Sequence, residues 1–137
     1  MARILAADDE MDIRMILEAV LMRHGEVDVA SDGQEAIDKL TEALEKQKPY
    51  DAVVTDLRMP RKDGFAVLDY IRENYGNTPV LVLSANADQE DNSALESKGA
   101  FVIKKPFENK SVFRAVEYLL SGNSEALEGL KNELKFK

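Results

Sequence analysis

The chain has no cysteine among its 137 residues. That absence excludes disulfides, zinc–thiolate centres and thiol catalysis. Long apolar runs are also missing: no stretch approaches the roughly 18 apolar residues of a membrane span. The N-terminus lacks a basic segment followed by an apolar run. A soluble cytoplasmic protein without membrane insertion is therefore expected. Positive charge is in short supply, with 18 Lys and Arg against 26 Asp and Glu and a formal net charge of −8. A surface so acidic repels phosphate backbones and anionic lipid, so direct nucleic acid binding is not expected. Histidine occurs once, at His24. Its position just before Gly25 suits the C-terminal end of a helix dipole better than a phosphotransfer role.

What is present is enough for one domain with a real core, since 45% of the residues are hydrophobic. Short apolar runs alternate with longer stretches of helical period. "RILAA" (3–7) reads as a strand. From Met11 to His24, the residues Ile13, Ile16, Leu17, Val20 and Leu21 share one helix face, and Gly25 is expected to stop that helix. "EVDVA" (26–30) alternates as a strand with one polar face would. Asp32 is expected to cap a helix to about Lys48 that buries Ala36, Ile37, Leu40 and Leu44.

"YDAVVT" (50–55) is a third strand, and "DGFAVLDYIREN" (63–74) a helix burying Val67, Leu68 and Ile71. "PVLVLSA" (79–85) is a continuous β-branched and leucine run, which argues burial on both faces. A helix at about 88–98 is weakly apolar, with only Ala94 and Leu95 to hold it, and is expected to be the loosest. "AFVIK" (100–104) and "NKSVFRAVEYLLSG" (109–122) complete the series. Strand and helix units in series predict an α/β fold: a doubly wound, five-stranded parallel sheet with helices on both faces. In such sheets ligands bind beyond the carboxyl ends of the strands.

Chemistry-bearing residues gather at those ends. The first strand runs into Asp8 and Asp9, the third into Asp56, the fourth into Ser84 and the fifth into Lys105. Adjacent carboxylates resist ionising together unless a cation lies between them. An all-oxygen donor set of carboxylates and carbonyls suits Mg²⁺. A carboxylate beside Mg²⁺ and a lysine is placed to attack phosphorus and form an acyl phosphate. Metal, lysine and hydroxyl would then share the three phosphoryl oxygens.

The "DDE" at 8–10, "DLRMPRKDG" at 56–64, the Ser84–Ala85 pair and "KKPF" at 104–107 together resemble the receiver domain of two-component response regulators. The resemblance covers residues 3 to about 121 and implies a flavodoxin-like fold. It implies that Asp56 is the phosphoacceptor, that Ser84 bonds the phosphoryl group and that Lys105 is the family's lysine. It also implies that Asp8, Asp9, Asp56 and the backbone carbonyl of Arg58 hold Mg²⁺. Met59, Pro60, Asp63 and Gly64 would shape the loop after the acceptor. One departure stands out: three positions before Lys105, where the family usually has an aromatic residue, this chain has Val102. Phe101 is one position off and is expected to face the opposite side of its strand.

The expected function is a phosphorylation-controlled binding module, not an enzyme beyond its own phosphorylation and dephosphorylation. Its expected partners are a histidine kinase or histidine phosphotransfer protein and a downstream protein target. A stand-alone receiver over residues 1–121 is expected, with no room after it for an output domain. The alternative is a Mg²⁺-dependent phosphohydrolase using an aspartyl phosphate. Such enzymes resemble Asp-x-Asp at the acceptor, with the second Asp as acid/base. Here that position is Arg58. Its side chain is expected to lean over the acceptor and prolong the phosphorylated state. Residues 122–137 form an expected helical extension, with Ala126, Leu127, Leu130 and Leu134 on one stripe. That stripe would need its own domain, a second copy in a homodimer, or the output partner to pack against.

Overall fold

The computed structural model describes residues 1–85 and 88–122. The elements run β1 (Ala2–Ala7), α1 (Met11–Leu21), β2 (Gly25–Ala30), α2 (Gly33–Glu45), β3 (Ala52–Asp56), α3 (Gly64–Asn74), β4 (Val80–Ser84), α4 (Gln89–Ser97), β5 (Phe101–Lys104) and α5 (Asn109–Ser121). The strands form one five-stranded sheet in the order β2-β1-β3-β4-β5, and every neighbouring pair is parallel. This is the doubly wound, flavodoxin-like arrangement expected from the sequence. The expected C-terminal helix over 123–137 lies outside the described residues.

Side-chain alternation along the strands divides the core between the two faces of the sheet. Leu5, Val53, Val80 and Val82 pack with Leu40, Leu68, Ile71 and Leu95 from α2, α3 and α4. Their immediate neighbours Ile4, Val54, Leu81 and Leu83 pack with Leu17, Leu21, Val112 and Val116 from α1 and α5. All residues of β3 and β4 are buried, as strands covered on both sides require. β2 lies at an edge and exposes Glu26 and Asp28 on alternate positions. Among the described residues no helix is long and apolar enough to cross a membrane.

Helix ends follow local chemistry. Asp32 caps α2 by accepting from the Glu35 amide at 2.8 Å, and Asp63 caps α3 by accepting from the Ala66 amide at 3.0 Å. Gly122 ends α5 in the left-handed conformation, with its amide on the Tyr118 carbonyl.

Gly25 does not stop α1, which ends at Leu21 with its cap at Met22. Gly25 instead opens β2, where an added Cβ would collide with the Ala2 carbonyl oxygen. Its role is close strand packing. His24 therefore sits past the helix, stacked on Phe113 with ring centroids 4.2 Å apart and Nε2 3.0 Å from the Phe113 carbonyl oxygen. Ile16 is exposed rather than inward. Leu44 is also exposed, and Ala43 takes the core position instead.

Candidate functional site

Parallel winding reverses direction between β1 and β3: β2 lies on one side of β1, and β3, β4 and β5 on the other. A crevice opens at the carboxyl end of such a switch point. The residues flanking it here are Asp8, the residue after β1, and Asp56, the last of β3. Ser84 ends β4, and Lys105 follows β5. The four candidates from four strands are thus brought to one edge of the sheet.

Asp8 is 0% exposed and anchored on every side. Its amide donates to the Ala30 carbonyl at 3.1 Å, and its own carbonyl accepts from Arg14 Nη1 at 2.8 Å. Asp8 Oδ1 accepts the Glu10 amide at 2.9 Å. Asp8 Oδ2 accepts from Lys105 Nζ, also at 2.9 Å. The same ammonium lies 3.3 Å from Asp56 Oδ1. Asp56 is buried at 6% exposure, and its Oδ1 also accepts the Leu57 amide at 2.9 Å. Lys105 is therefore shared by two buried carboxylates from different strands.

The electrostatics follow from that geometry. Burial and the charge of Asp8 push the Asp56 carboxyl up to about 6, against the downward pull of Lys105 and the Leu57 amide. Burial works to lower Lys105, but the hydrogen bond to Asp8 and the charge of Asp56 outweigh it and hold the ammonium above its ordinary value. The site thus has a surplus of negative charge that one lysine does not offset.

Asp8, Asp9 and Glu10 each bring a carboxylate oxygen within 4.8 Å of the others, with Asp9 and Glu10 exposed. This donor set fits a hard divalent cation, which prefers oxygen ligands. Glu10 adds a third carboxylate beside the expected Asp8 and Asp9, and the contiguous "DDE" was the signal that could have found it.

The loop after β3 is held at several points. Gly64 packs so closely that an added Cβ would lie 2.7 Å from the Asp56 carbonyl oxygen and 2.9 Å from Leu57 Cα. Its amide also donates to the Leu57 carbonyl at 2.7 Å. Arg61, at φ +65°, grips Asp32 through two contacts of 2.9 and 3.0 Å. Arg58 donates Nη2 to Asp91 Oδ2 on α4 at 2.9 Å, a contact that sequence reading missed. Ser84 is buried, and its carbonyl accepts the Lys105 amide at 2.9 Å. Phe101 and Val102 lie on opposite faces of β5, Phe101 against the α1 and α5 side and Val102 half-buried on the other.

The doubly wound sheet thus brings two buried carboxylates and a lysine shared between them together at its carboxyl edge. Comparison with known proteins identifies the class. Residues 4–117 match the family model of the response regulator receiver domain. The chain is similar in structure to the chemotaxis protein CheY4 of Vibrio cholerae, with a TM-score of 0.77, 31% identity, and coverage of 88% of this chain and 99% of that one. It is also similar to the receiver domain of the Francisella response regulator 1452, with a TM-score of 0.76, 30% identity, and coverage of 89% and 98%. In sequence it is 38% identical over 120 residues to the transcriptional regulatory protein PrrA of Mycobacterium tuberculosis, covering 86% of this chain and 49% of PrrA.

The chain belongs to the response regulator receiver domain family of two-component signalling. It spans about half the length, or less, of the curated relatives it matches. Receiver domains interact with histidine kinases and phosphotransfer proteins, act in signalling rather than as general enzymes, and bind Mg²⁺ at an acidic pocket.

Proposed function

We propose that residues 1–121 form a receiver that accepts a phosphoryl group on Asp56 from a histidine kinase or histidine phosphotransfer protein. In its phosphorylated form it binds a downstream protein target, acting in the cytoplasm. The observation that carries this reading is the buried Asp56 carboxylate, 3.3 Å from a lysine ammonium that Asp8 also holds.

In the transfer, a carboxylate oxygen of Asp56 attacks phosphorus. The O–P bond forms as the P–N bond to the donor imidazole breaks. The bonding pair goes to that nitrogen, leaving a neutral ring whose other nitrogen keeps its proton. Asp56 must be ionised to attack, and a carboxyl pushed up to about 6 is mostly ionised at neutral pH. Lys105 Nζ lies on the acceptor side, where it stabilises charge developing on the phosphoryl oxygens. Ser84, at the end of the neighbouring strand, offers its hydroxyl to one of those oxygens.

Asp8, Asp9, the Asp56 carboxylate and the Arg58 carbonyl are the groups assigned to Mg²⁺, with Glu10 close by. When bound, the ion offsets the repulsion among the carboxylates and neutralises part of the phosphoryl charge. Intact-mass measurement with acetyl phosphate and Mg²⁺ tests the reading. The unaltered protein should gain one phosphoryl group and Asp56→Asn none. A full adduct on that variant overturns the assignment.

A further inference from the structure

α4 is held in place less by packing than by polar ties. Among the described residues, Leu95 is its one fully buried apolar side chain. At its C-terminal end, Arg72 of α3 donates Nε to the Lys98 carbonyl at 2.6 Å, and Lys98 Nζ meets Asp69 at 2.6 Å. At its N-terminal end, Asp91 Oδ2 accepts from Arg58 Nη2 at 2.9 Å. Arg58 stands two residues after Asp56 in the loop that leaves β3, and Asp91 lies in the first turn of the helix that follows β4. The ion pair therefore bridges the exits of the two strands carrying the acceptor carboxylate and the Ser84 hydroxyl.

We propose that this pair reads the phosphorylation state of Asp56: once a phosphoryl group is present, the Arg58 guanidinium leaves Asp91 for the phosphoryl oxygens and releases the start of α4. This rests on Asp56 being the acceptor. Phosphorylation replaces one carboxylate charge by a group of nearly two, with three strong acceptor oxygens, and arginine binds such oxygens in fork geometry. The bond that Arg58 gives up is weak, because the pair is partly solvated, with side-chain exposures of 56% and 26%. Asp91 tolerates the loss. It sits at a helix N-terminus, where the dipole favours a carboxylate, and its amide stays capped by Asp88 at 2.8 Å. Val102 has no large ring to rotate, so a switch based on ionic exchange needs no aromatic partner on β5. The bridge has two states, and the phosphoryl group has different affinity for each, which is the requirement for a population shift.

Amide hydrogen exchange over residues 88–98, with the adduct confirmed by intact mass in each sample, tests the proposal. In the unaltered protein, phosphorylation should speed exchange about two- to fivefold, the effect of losing one solvated ion pair. Asp91→Asn should exchange fast before phosphorylation and no faster after it. Arg58→Met, which lacks the guanidinium, should likewise exchange fast before phosphorylation and no faster after it. A confirmed adduct with unchanged exchange in the unaltered protein overturns the inference alone, as does an Arg58→Met protein that responds like the original. No adduct on the unaltered protein overturns the acceptor assignment, and the inference with it.

Discussion

Replacing Asp56 with asparagine should stabilise the metal-free protein at neutral pH. A carboxyl raised from an ordinary 3.8 to about 6 binds its proton more tightly in the folded chain than in the unfolded one. Folding therefore favours the protonated acid. The wild type loses stability as pH rises from about 4 to about 6, and the deficit persists above that range. At about 1.4 kcal/mol per tenfold change in proton affinity, the full deficit is about 3 kcal/mol. Asparagine carries no charge, and its side-chain oxygen can still accept the Leu57 amide that Asp56 Oδ1 accepts at 2.9 Å. Lys105 keeps Asp8 as a partner at 2.9 Å. Relaxation around a charged site shrinks the effect, so the expected gain is about 1–3 kcal/mol, or about 3–10 °C in Tm for a domain of this size. Thermal unfolding by circular dichroism, in excess chelator from pH 3.5 to 8, is the assay. The curves of wild type and Asp56→Asn should coincide at the acid end and separate between pH 4 and 6. Saturating Mg²⁺ should raise the wild type more than the variant and close the gap. A variant less stable than wild type at pH 7.5 without metal, or a gap independent of pH, refutes the reasoning.

Other perturbations test neighbouring parts of the site. Lys105→Met removes the cation shared by two buried carboxylates and should cost about 2–4 kcal/mol at neutral pH. That loss should shrink in acid as the carboxylates lose charge, which urea denaturation at two pH values would show. Gly64→Ala places a Cβ 2.7 Å from the Asp56 carbonyl oxygen. Overpacking against backbone should lower stability by about 1–3 kcal/mol and slow phosphorylation by acetyl phosphate, measured by melting and by mass. Asp32→Ala removes both the α2 cap and the two contacts to Arg61, and should cost about 1–2 kcal/mol by chemical denaturation. Arg58→Ala should shorten the life of the phosphoryl group, followed as loss of the adduct by mass after the donor is removed. An unchanged or longer life counts against a shielding role.

The strands were legible because buried parallel strands write their burial directly into composition: "AVVTD" and "VLVLS" leave no polar side for solvent. Once the strands were placed, the gathering of Asp8, Asp56, Ser84 and Lys105 followed from topology alone. Helix faces were legible only in angle. Ile16 and Leu44 satisfy the period but stand where no neighbouring element covers them, while the smaller Ala43 is buried. Gly25 carries the local marks of a helix stop, yet its reason is a carbonyl on the neighbouring strand. The bridge from Arg58 to Asp91 spans 33 positions and joins two polar surface residues, so nothing in either local segment announces it. Lys105 was findable because it stands at a strand end. Arg58 is marked by its place two residues after Asp56, but nothing in the sequence marks Asp91 as its partner.

The contact between Lys105 and Asp8 joins residues 97 positions apart. During synthesis β1 and β3 emerge long before the lysine does, and each carries its buried acid. A nascent chain that ends before residue 105 would have to bring Asp8 and Asp56 together without the ammonium that offsets them. Domains whose contacts span most of the chain fold slowly, because loop closure must precede the contacts that reward it. The charge pattern at the edge of the sheet therefore leaves the two central strands short of one cation until the last strand has arrived.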